Sequence, residues 1–249
     1  MNATPIQLSI FIPVLNEAEI LEANVMRIYD RLHDQGLGFE VIVVSNGSTD
    51  ETNEIGQRMA EEQAWFRFFI LPEKGPGRAF VLAMSEARSN WLVTFDADLS
   101  SGLDFLESAV THLPNHAMVV GSKTVNKQSR PLSRIVGSKV YIGLTQRVLG
   151  LQVNDFSMGN KAFRLDALLP IRSHLDPWTA YPLECAVFLK NSGHSIVQVG
   201  VHCNDNREGR FSLLHEGVYR YRHLMHCVRL QYRMGSWLNP TRRANEKSS

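Results

Sequence analysis

The chain has 249 residues, 44% of them hydrophobic, and a formal charge of +1; it can bury a large core, and its net charge gives no ground for a nucleic-acid partner. Cys185, Cys203 and Cys227 are odd in number and widely spaced, which argues against a disulfide framework or a zinc site and for a reducing, cytosolic setting. No run of about 18 consecutive apolar residues occurs, and Met1 to Gln7 lack the basic start and apolar core of a signal peptide, so neither a spanning helix nor a leader is expected.

Leu8 to Val14 reads as a strand, stopped by Pro13 and followed by the polar pair Asn16-Glu17. Leu21, Val25, Ile28 and Leu32 then recur at helical spacing, with Gly36 and Gly38 closing the segment. Glu40 to Val44 is a second strand. It runs into Ser45-Asn46-Gly47-Ser48-Thr49-Asp50-Glu51, where Gly47 permits a tight turn and Ser48 with Glu51 makes a capping box. The amides of that helix start suit an anion, with the acids of the same turn competing for the dipole.

A third strand, Phe66 to Leu71, leads to Lys74-Gly75-Pro76-Gly77-Arg78 and a helix carrying Phe80, Ala83, Met84 and Ala87. Lys74 and Arg78 read either as positive charge beside a phosphate that the glycines let the backbone approach, or as solvated bases on a surface turn. A fourth strand begins at Trp91 and ends in Asp96-Ala97-Asp98. Side chains two apart share a face while the chain stays extended, so the two carboxylates converge if the strand continues through Ala97. Such a pair suits Mg²⁺ or Mn²⁺; an isolated Asp-x-Asp more often ends a strand and caps a helix. Leu103, Leu106, Val110 and Leu113 predict the next helix, and Ala117 to Gly121 a fifth strand.

Strands and helices alternating through short connections predict an α/β fold, a mostly parallel sheet with helices on both faces and ligands at the carboxyl ends of the strands. Strand, glycine loop, helix and an acid about twenty residues on also imitate a dinucleotide fingerprint. That unit starts at the third strand, and Phe80 stands where a small residue is required.

Between Gly121 and Arg147 lie six positive side chains, Lys123, Lys127, Arg130, Arg134, Lys139 and Arg147, and no acid, a surface built for an anion. Pro131 opens a helix with Leu132, Ile135, Val136, Val140, Leu144 and Val148 on its apolar side and Gly150 past its end. Arg134 and Ser138 share a face and together can grip a phosphate. A helix near Tyr181 to Asn191 and a strand from Ser195 to Val201 follow. From Gly217 to Arg243 there are again six arginines and no acid. Arg222, His226, Arg229 and Arg233 form one stripe and Tyr221, Leu224, Met225, Val228 and Tyr232 another, with Trp237 just beyond. This basic amphipathic helix suits a membrane surface, or packs on the domain or a sister subunit.

Three stretches taken together, Phe11 to Glu17, Glu40 to Asp50, and Lys74-Gly-Pro-Gly continuing to Asp96-Ala-Asp98, resemble the inverting GT-A glycosyltransferases of family two, and in order and spacing the dolichyl-phosphate mannose synthases. The resemblance implies a GT-A fold, Rossmann-like, over residues 1–212, with a nucleotide and metal half at 8–121 and an acceptor half at 122–212. A basic amphipathic helical segment at 213–240 and a disordered tail at 241–249 complete the expected organisation. By matched position it implies Pro13, Asn16, Glu17, Asn46, Lys74 and Gly75 near the nucleotide and Asp96 and Asp98 at Mg²⁺ or Mn²⁺. Arg207 or Arg210 falls in a basic loop over the diphosphate, so the catalytic set reads Asp96, Asp98 and Arg207. Lys123, Arg134 and Ser138 fall at the acceptor phosphate, and Asp155 at a sugar hydroxyl or a basic neighbour.

The chain also departs from the pattern. Ser45 and Asn46 stand where two acids are usual, leaving the nucleotide open; Ser100 replaces a glutamine, Lys123 an arginine, and Asn160-Lys161 an aromatic-arginine pair. The implied activity is transfer of a hexose, first of all mannose from GDP-mannose, to a polyprenyl or dolichyl phosphate. It implies an enzyme held peripherally at the cytoplasmic face of a membrane, with no nucleic-acid partner and with room for an oligomer or accessory subunit. A UDP-sugar donor or carbohydrate acceptor, an NAD-dependent oxidoreductase and a non-catalytic nucleotide-binding scaffold are the competing readings.

Overall fold

The computed structural model describes residues 5–123, 132–153, 156, 158–201 and 221–231, with the side chains of 123 and 132–139 outside the description. Strands β1 (Leu8–Val14), β2 (Phe39–Asn46), β3 (Phe66–Leu71) and β4 (Trp91–Thr94) pair in parallel, in the order β3-β2-β1-β4. Val41, Ile42, Val43 and Val44 are all wholly buried, the continuous apolar run that a strand covered on both faces requires. Alternate residues serve opposite sides: Phe11, Ile42 and Val44 join one apolar core, and Ile10, Ile12, Val41 and Val43 the other.

Helices cover both faces. Helices α1 (Leu21–His33) and α4 (Phe105–His112) bury Val25, Ile28, Phe105 and Leu106 in one core. On the other side α3 (Pro76–Glu86) and α6 (Tyr181–Asn191) bury Phe80, Ala83, Leu183 and Ala186. Helix α2 (Thr52–Glu62) lies beside β3, Gly56 lying against the ring of Phe68. Its start differs from expectation. The expected pairing of Ser48 with Glu51 does not cap it; Asp50 accepts from the Thr52 amide, while the Ser48 hydroxyl takes the Asn16 amide and the Ser45 hydroxyl.

The sheet continues past β4 with a strand the sequence pattern did not mark. Strand β6 (Lys161–Arg164) runs antiparallel between β4 and β5 (Met118–Lys123), and β7 (Ile196–Val201) pairs in parallel with β5 at the edge. The full order is β3-β2-β1-β4-β6-β5-β7. The result is the mostly parallel, Rossmann-like sheet expected.

Two helices meet the expectations only in part. On α5 (Leu132–Leu149) the described members of the anticipated apolar side, Val140, Leu144 and Val148, are 57%, 46% and 45% exposed, while Thr145 and Leu149 are buried. Residues 221–231 are helical (α7). Leu224 and Cys227 of α7 enter the core shared with α6, whereas Tyr221 and Met225 are exposed. Among the described residues no helix is long and apolar enough to cross a membrane.

At the amino ends of the strands a buried acid ties three of them together. Glu40, 1% exposed, accepts from the Ser9 hydroxyl at 2.7 Å and the Arg88 amide at 2.6 Å through Oε1, and from Arg67 at 3.3 Å through Oε2. Glu40→Ala leaves these donors facing an apolar gap and is expected to cost about 3 kcal/mol. Urea unfolding would show a lower midpoint with an unchanged slope; a change below about 0.5 kcal/mol, the range of ordinary surface substitutions, would deny the cluster a structural role.

Candidate active site

The carboxyl ends of β1 to β4 open on one edge of the sheet. Successive crossovers go to opposite sides of β1, with β2 on one flank and β4 on the other, so the crevice of an open α/β sheet falls there. Past β1, Asn16 adopts φ 56°, a left-handed conformation that asparagine tolerates. Its Oδ1 accepts the Thr49 amide at 2.7 Å, and the Glu17 amide donates to Thr52 Oγ1 at 2.9 Å. The loops after β1 and β2 thus hold each other. Asp50 joins them by accepting from Ala18 and Thr52. Although burial acts to raise its pKa, the bonds from Thr52 and Ala18 keep its carboxyl below the ordinary value.

Asn46, 5% exposed, ends β2. Its Nδ2 donates to the Val14 carbonyl at 2.8 Å and its Oδ1 accepts the Gly75 amide at 3.2 Å, so one side chain ties the ends of β1 and β2 to the glycine loop. Gly47, at φ 86°, donates to the Leu71 carbonyl at 2.9 Å, and a Cβ there would stand 3.1 Å from Lys74 Cγ. Of the two cations of that loop, Lys74 is exposed on the open edge. Arg78 pairs with Glu73 at 2.6 Å and donates to the Lys74 carbonyl.

Strand β4 stops at Thr94, and the chain does not stay extended through Ala97. It turns, the Leu99 amide donating to the Asp96 carbonyl at 3.0 Å, with Leu99 at φ 49°. A leucine there costs about 1 kcal/mol or more; it is held because its side chain is 5% exposed in the core and its carbonyl accepts from Gly102. Asp96 is exposed and Asp98 half-buried. Asp98 Oδ1 accepts the Ser100 amide at 3.0 Å. Asp96 Oδ2 accepts the Gly159 amide at 2.9 Å, and a Cβ on Gly159 would lie 2.4 Å from Asp96 Cγ. Gly159 is itself fixed by its carbonyl, which accepts from the Thr94 hydroxyl.

Two features escaped the sequence reading. Tyr181 is buried, its ring stacked on Phe80 at 4.4 Å. Burial, and then the negative charge of Asp96, push its hydroxyl far above the ordinary range, so it stays protonated beside that carboxylate. The second is the turn from Asp176 to Trp178, which lies on the glycine loop; the Arg78 amide donates to the Pro177 carbonyl at 3.2 Å. The Asp-Pro pair was its one turn signal. For the expected acceptor residues, β5 carries Lys123 and α5 carries Arg134 and Ser138, but their side chains lie outside the described residues. Arg207, Arg210 and Asp155 lie outside them altogether.

The donor set fits a hard divalent cation. Asp96 and Asp98 carry carboxylate oxygens just past β4, and Asp96 can stand where it does because position 159 has no side chain. Among the described residues no group of three or more His, Cys, Asp and Glu converges.

A mostly parallel α/β sheet with two acids just past its fourth strand is the arrangement of the GT-A class of transferase. The sequence profile of glycosyl transferase family 2 matches residues 9–171, and the chain belongs to that family. It is 32% identical over 183 residues to the glycosyltransferase AglD of Haloferax volcanii, covering 70% of this chain and 29% of that protein. It is 27% identical over 197 residues to the undecaprenyl-phosphate 4-deoxy-4-formamido-L-arabinose transferase of Salmonella paratyphi B, covering 77% and 59%. The chain therefore spans less than two thirds of the length of either relative. Its fold matches the glucosyl-3-phosphoglycerate synthase of Mycobacterium tuberculosis crystallised with Mn²⁺ and UDP-glucose, with a TM-score of 0.59, 20% identity, and 86% and 75% of the two chains covered.

Gly159→Ala drives a methyl group into Asp96. The expected outcome is at least a ten-fold weaker grip on Mn²⁺ in the presence of a nucleoside diphosphate, as a displacement of about 1 Å can bring, measured by titration calorimetry. Unchanged binding would show that Asp96 has no fixed place in the site.

Proposed function

We propose that this chain transfers a hexose from a nucleoside-diphosphate sugar to the phosphate of a polyprenol, with inversion, using Mg²⁺ or Mn²⁺. The observation that carries the proposal is the gathering of Asn16, Glu17, Asn46, Lys74 and Gly75 on the sheet edge that ends in Asp96 and Asp98, in a family 2 chain related to an undecaprenyl-phosphate transferase. Pro13 and the loops after β1 and β2 form the floor for the nucleotide, and exposed Lys74 supplies a cation toward the diphosphate. Asp96, held by the Gly159 amide, and Asp98 would hold the metal. When bound, the ion withdraws charge from the departing diphosphate.

The acceptor needs no strong base from the protein. A phosphate monoester with a second pKa near about 6 is largely dianionic at neutral pH and is its own nucleophile. The chain's task is then placement behind the anomeric carbon and stabilisation of charge. Lys123, Arg134 and Ser138 are assigned to the acceptor phosphate and Arg207 to the diphosphate, on the strength of the six cations and no acid between Gly121 and Arg147 and of the basic stretch around Arg207 and Arg210. The outward apolar row Val140, Leu144 and Val148 beside exposed Arg147 favours a lipid acceptor and a peripheral seat at the cytoplasmic face of a membrane. The order of motifs favours mannose from GDP-mannose. A UDP-sugar is the second reading, favoured by the fold shared with a synthase crystallised with UDP-glucose.

A thermal-shift panel of GDP, UDP, CDP and NAD, each with and without Mn²⁺, tests the donor class. Metal-dependent stabilisation by one nucleoside diphosphate is expected, about 2.7 kcal/mol at a hundred-fold excess over Kd. Stabilisation by NAD alone, independent of metal, would overturn the reading. Asp98→Asn is expected to abolish metal-dependent transfer to polyprenyl phosphate, at least a hundred-fold in kcat; a variant that transfers as well as the parent would remove Asp98 from the mechanism.

A further inference from the structure

One buried acid takes no part in the chemistry above. Glu184, in the first turns of α6, has a side chain only 1% exposed. Its Oε2 accepts the Asp176 amide at 2.6 Å. Its Oε1 stands 3.1 Å from Nε2 of His226 on α7, a charge-pairing distance without hydrogen-bond geometry. The bond from the Asp176 amide is therefore costly to break, because losing it would leave both buried carboxyl oxygens without a hydrogen bond.

What Glu184 touches is the turn over the glycine loop. Asp176 Oδ2 accepts the amides of Trp178 and Ala180, both at 3.0 Å, and so closes the turn at the head of α6. The carbonyls of that turn press on the start of α3. Asp176 O lies 1.9 Å from where a Gly77 Cβ would stand, and Pro177 O 2.7 Å from a Gly75 Cβ. Only glycines admit that approach, and the Arg78 amide hydrogen-bonds to the Pro177 carbonyl across it. Glu184 holds the turn, the turn holds Gly75 to Arg78, and Gly75 is tied to Asn46 at the nucleotide edge. From the other side α7, anchored by buried Leu224 and Cys227, delivers His226.

We propose that Glu184 is a positioning residue of the donor site, acting through the 176–178 turn on the Lys74–Gly77 loop, and that His226 links α7 to the same loop. The proposal rests on the donor-site reading of that edge. It assigns α7 a role in donor binding besides any contact with a membrane.

The groups facing Glu184 are the Asp176 carboxylate, His226 of α7 and the thiols of Cys185 and Cys227, and His223 of α7 interacts in turn with Asp176 and His226. Burial pushes Glu184 up to about 7 against the Asp176 amide, with the Asp176 carboxylate adding to the rise. Burial, and then the charge of Glu184, push both thiols up, so they stay neutral. Burial holds His223 down, against the pull of Asp176. A carboxyl whose folded value is raised adds stability that is present below the ordinary carboxylate range and is lost as pH rises through about 7.

The test uses Glu184→Ala, Glu184→Gln and His226→Ala in the full chain. It reads calorimetric binding of GDP and UDP with Mn²⁺, and hydrogen exchange across residues 74–80. Glu184→Ala should weaken nucleotide binding about ten-fold or more and speed exchange at Arg78, while exchange in β1 and β2 stays at the parent rate. Glu184→Gln, whose amide oxygen still accepts from Asp176, should restore most of the binding. The Tm of the parent relative to Glu184→Gln should fall between pH 5 and pH 8. His226, with a side chain 54% exposed, can be removed without emptying the core; His226→Ala should weaken nucleotide binding and carries the test if Glu184→Ala fails to fold. Folded variants that bind nucleotide and exchange at Arg78 as the parent does would overturn the proposal. A parent that binds neither nucleotide would instead defeat the donor-site reading, and Arg78 exchange would still decide whether Glu184 controls the loop.

Discussion

A single hydrogen bond, from the Gly159 amide to Asp96 Oδ2, joins the early and late parts of the chain at the point where the acids stand. Asp96 comes from the run of parallel strands; Gly159 comes from the start of β6, the antiparallel strand between β4 and β5. Antiparallel pairing brings the chain entering β6 back past the carboxyl end of β4. Thr94 locks that approach by donating to the carbonyls of both Gly159 and Lys161, and the Gly121 amide donates to the Asn160 carbonyl on the β5 side. With a side chain at 159 the carboxylate would have to move. The place of Asp96 is thus set by a segment far away in sequence, while Asp98 is held locally by the Ser100 amide.

The side chains at the strand ends do much of their work on backbone. Asn46 illustrates why an amide stands where related chains usually carry an acid. It donates to the Val14 carbonyl and accepts from the Gly75 amide, a pairing that a carboxylate, which only accepts, cannot make. Asn16 likewise spends Oδ1 on the Thr49 amide. Loops fixed this way leave Lys74 exposed along the edge. The amide at Asn46 therefore has a structural account of its own.

Strands β1 to β4 were legible because strands buried on both faces are continuous apolar runs bounded by polar turns, and their order fixed which strand ends would meet. The two acids were legible as neighbours in the chain, but strand alternation does not govern them: β4 stops at Thr94 and the chain turns at Ala97, with Asp96 bonded to Gly159 and Asp98 to Ser100. Strand β6 has four residues, too few for a period to declare itself. The contacts of Tyr181 with Phe80 and of Glu184 with Asp176 and His226 depend on how α6 seats against α3 and α7. Local pattern carries no trace of such packing, since a buried Tyr or Glu on a helix reads the same whatever it meets.

Periodicity also misleads about direction. On α5 it marks one apolar row, but the row at 140, 144 and 148 points away from the core, which receives Leu149 instead. Each large apolar side chain left in water forgoes about 1.5–3 kcal/mol of burial, so a row of three beside Arg147 is a surface with burial still available to it. Helix α7 divides its faces in the same manner: Leu224 and Cys227 bind it to the body, and Tyr221, Arg222, Met225 and Arg229 stay outside. The two readings of this helix are therefore compatible, because one edge fixes it to the body while the other keeps the aromatic and basic groups that a phosphorylated lipid surface would attract. The same helix sets His226 3.1 Å from buried Glu184, so its inner edge meets the acid that holds the 176–178 turn while its outer edge stays in solvent.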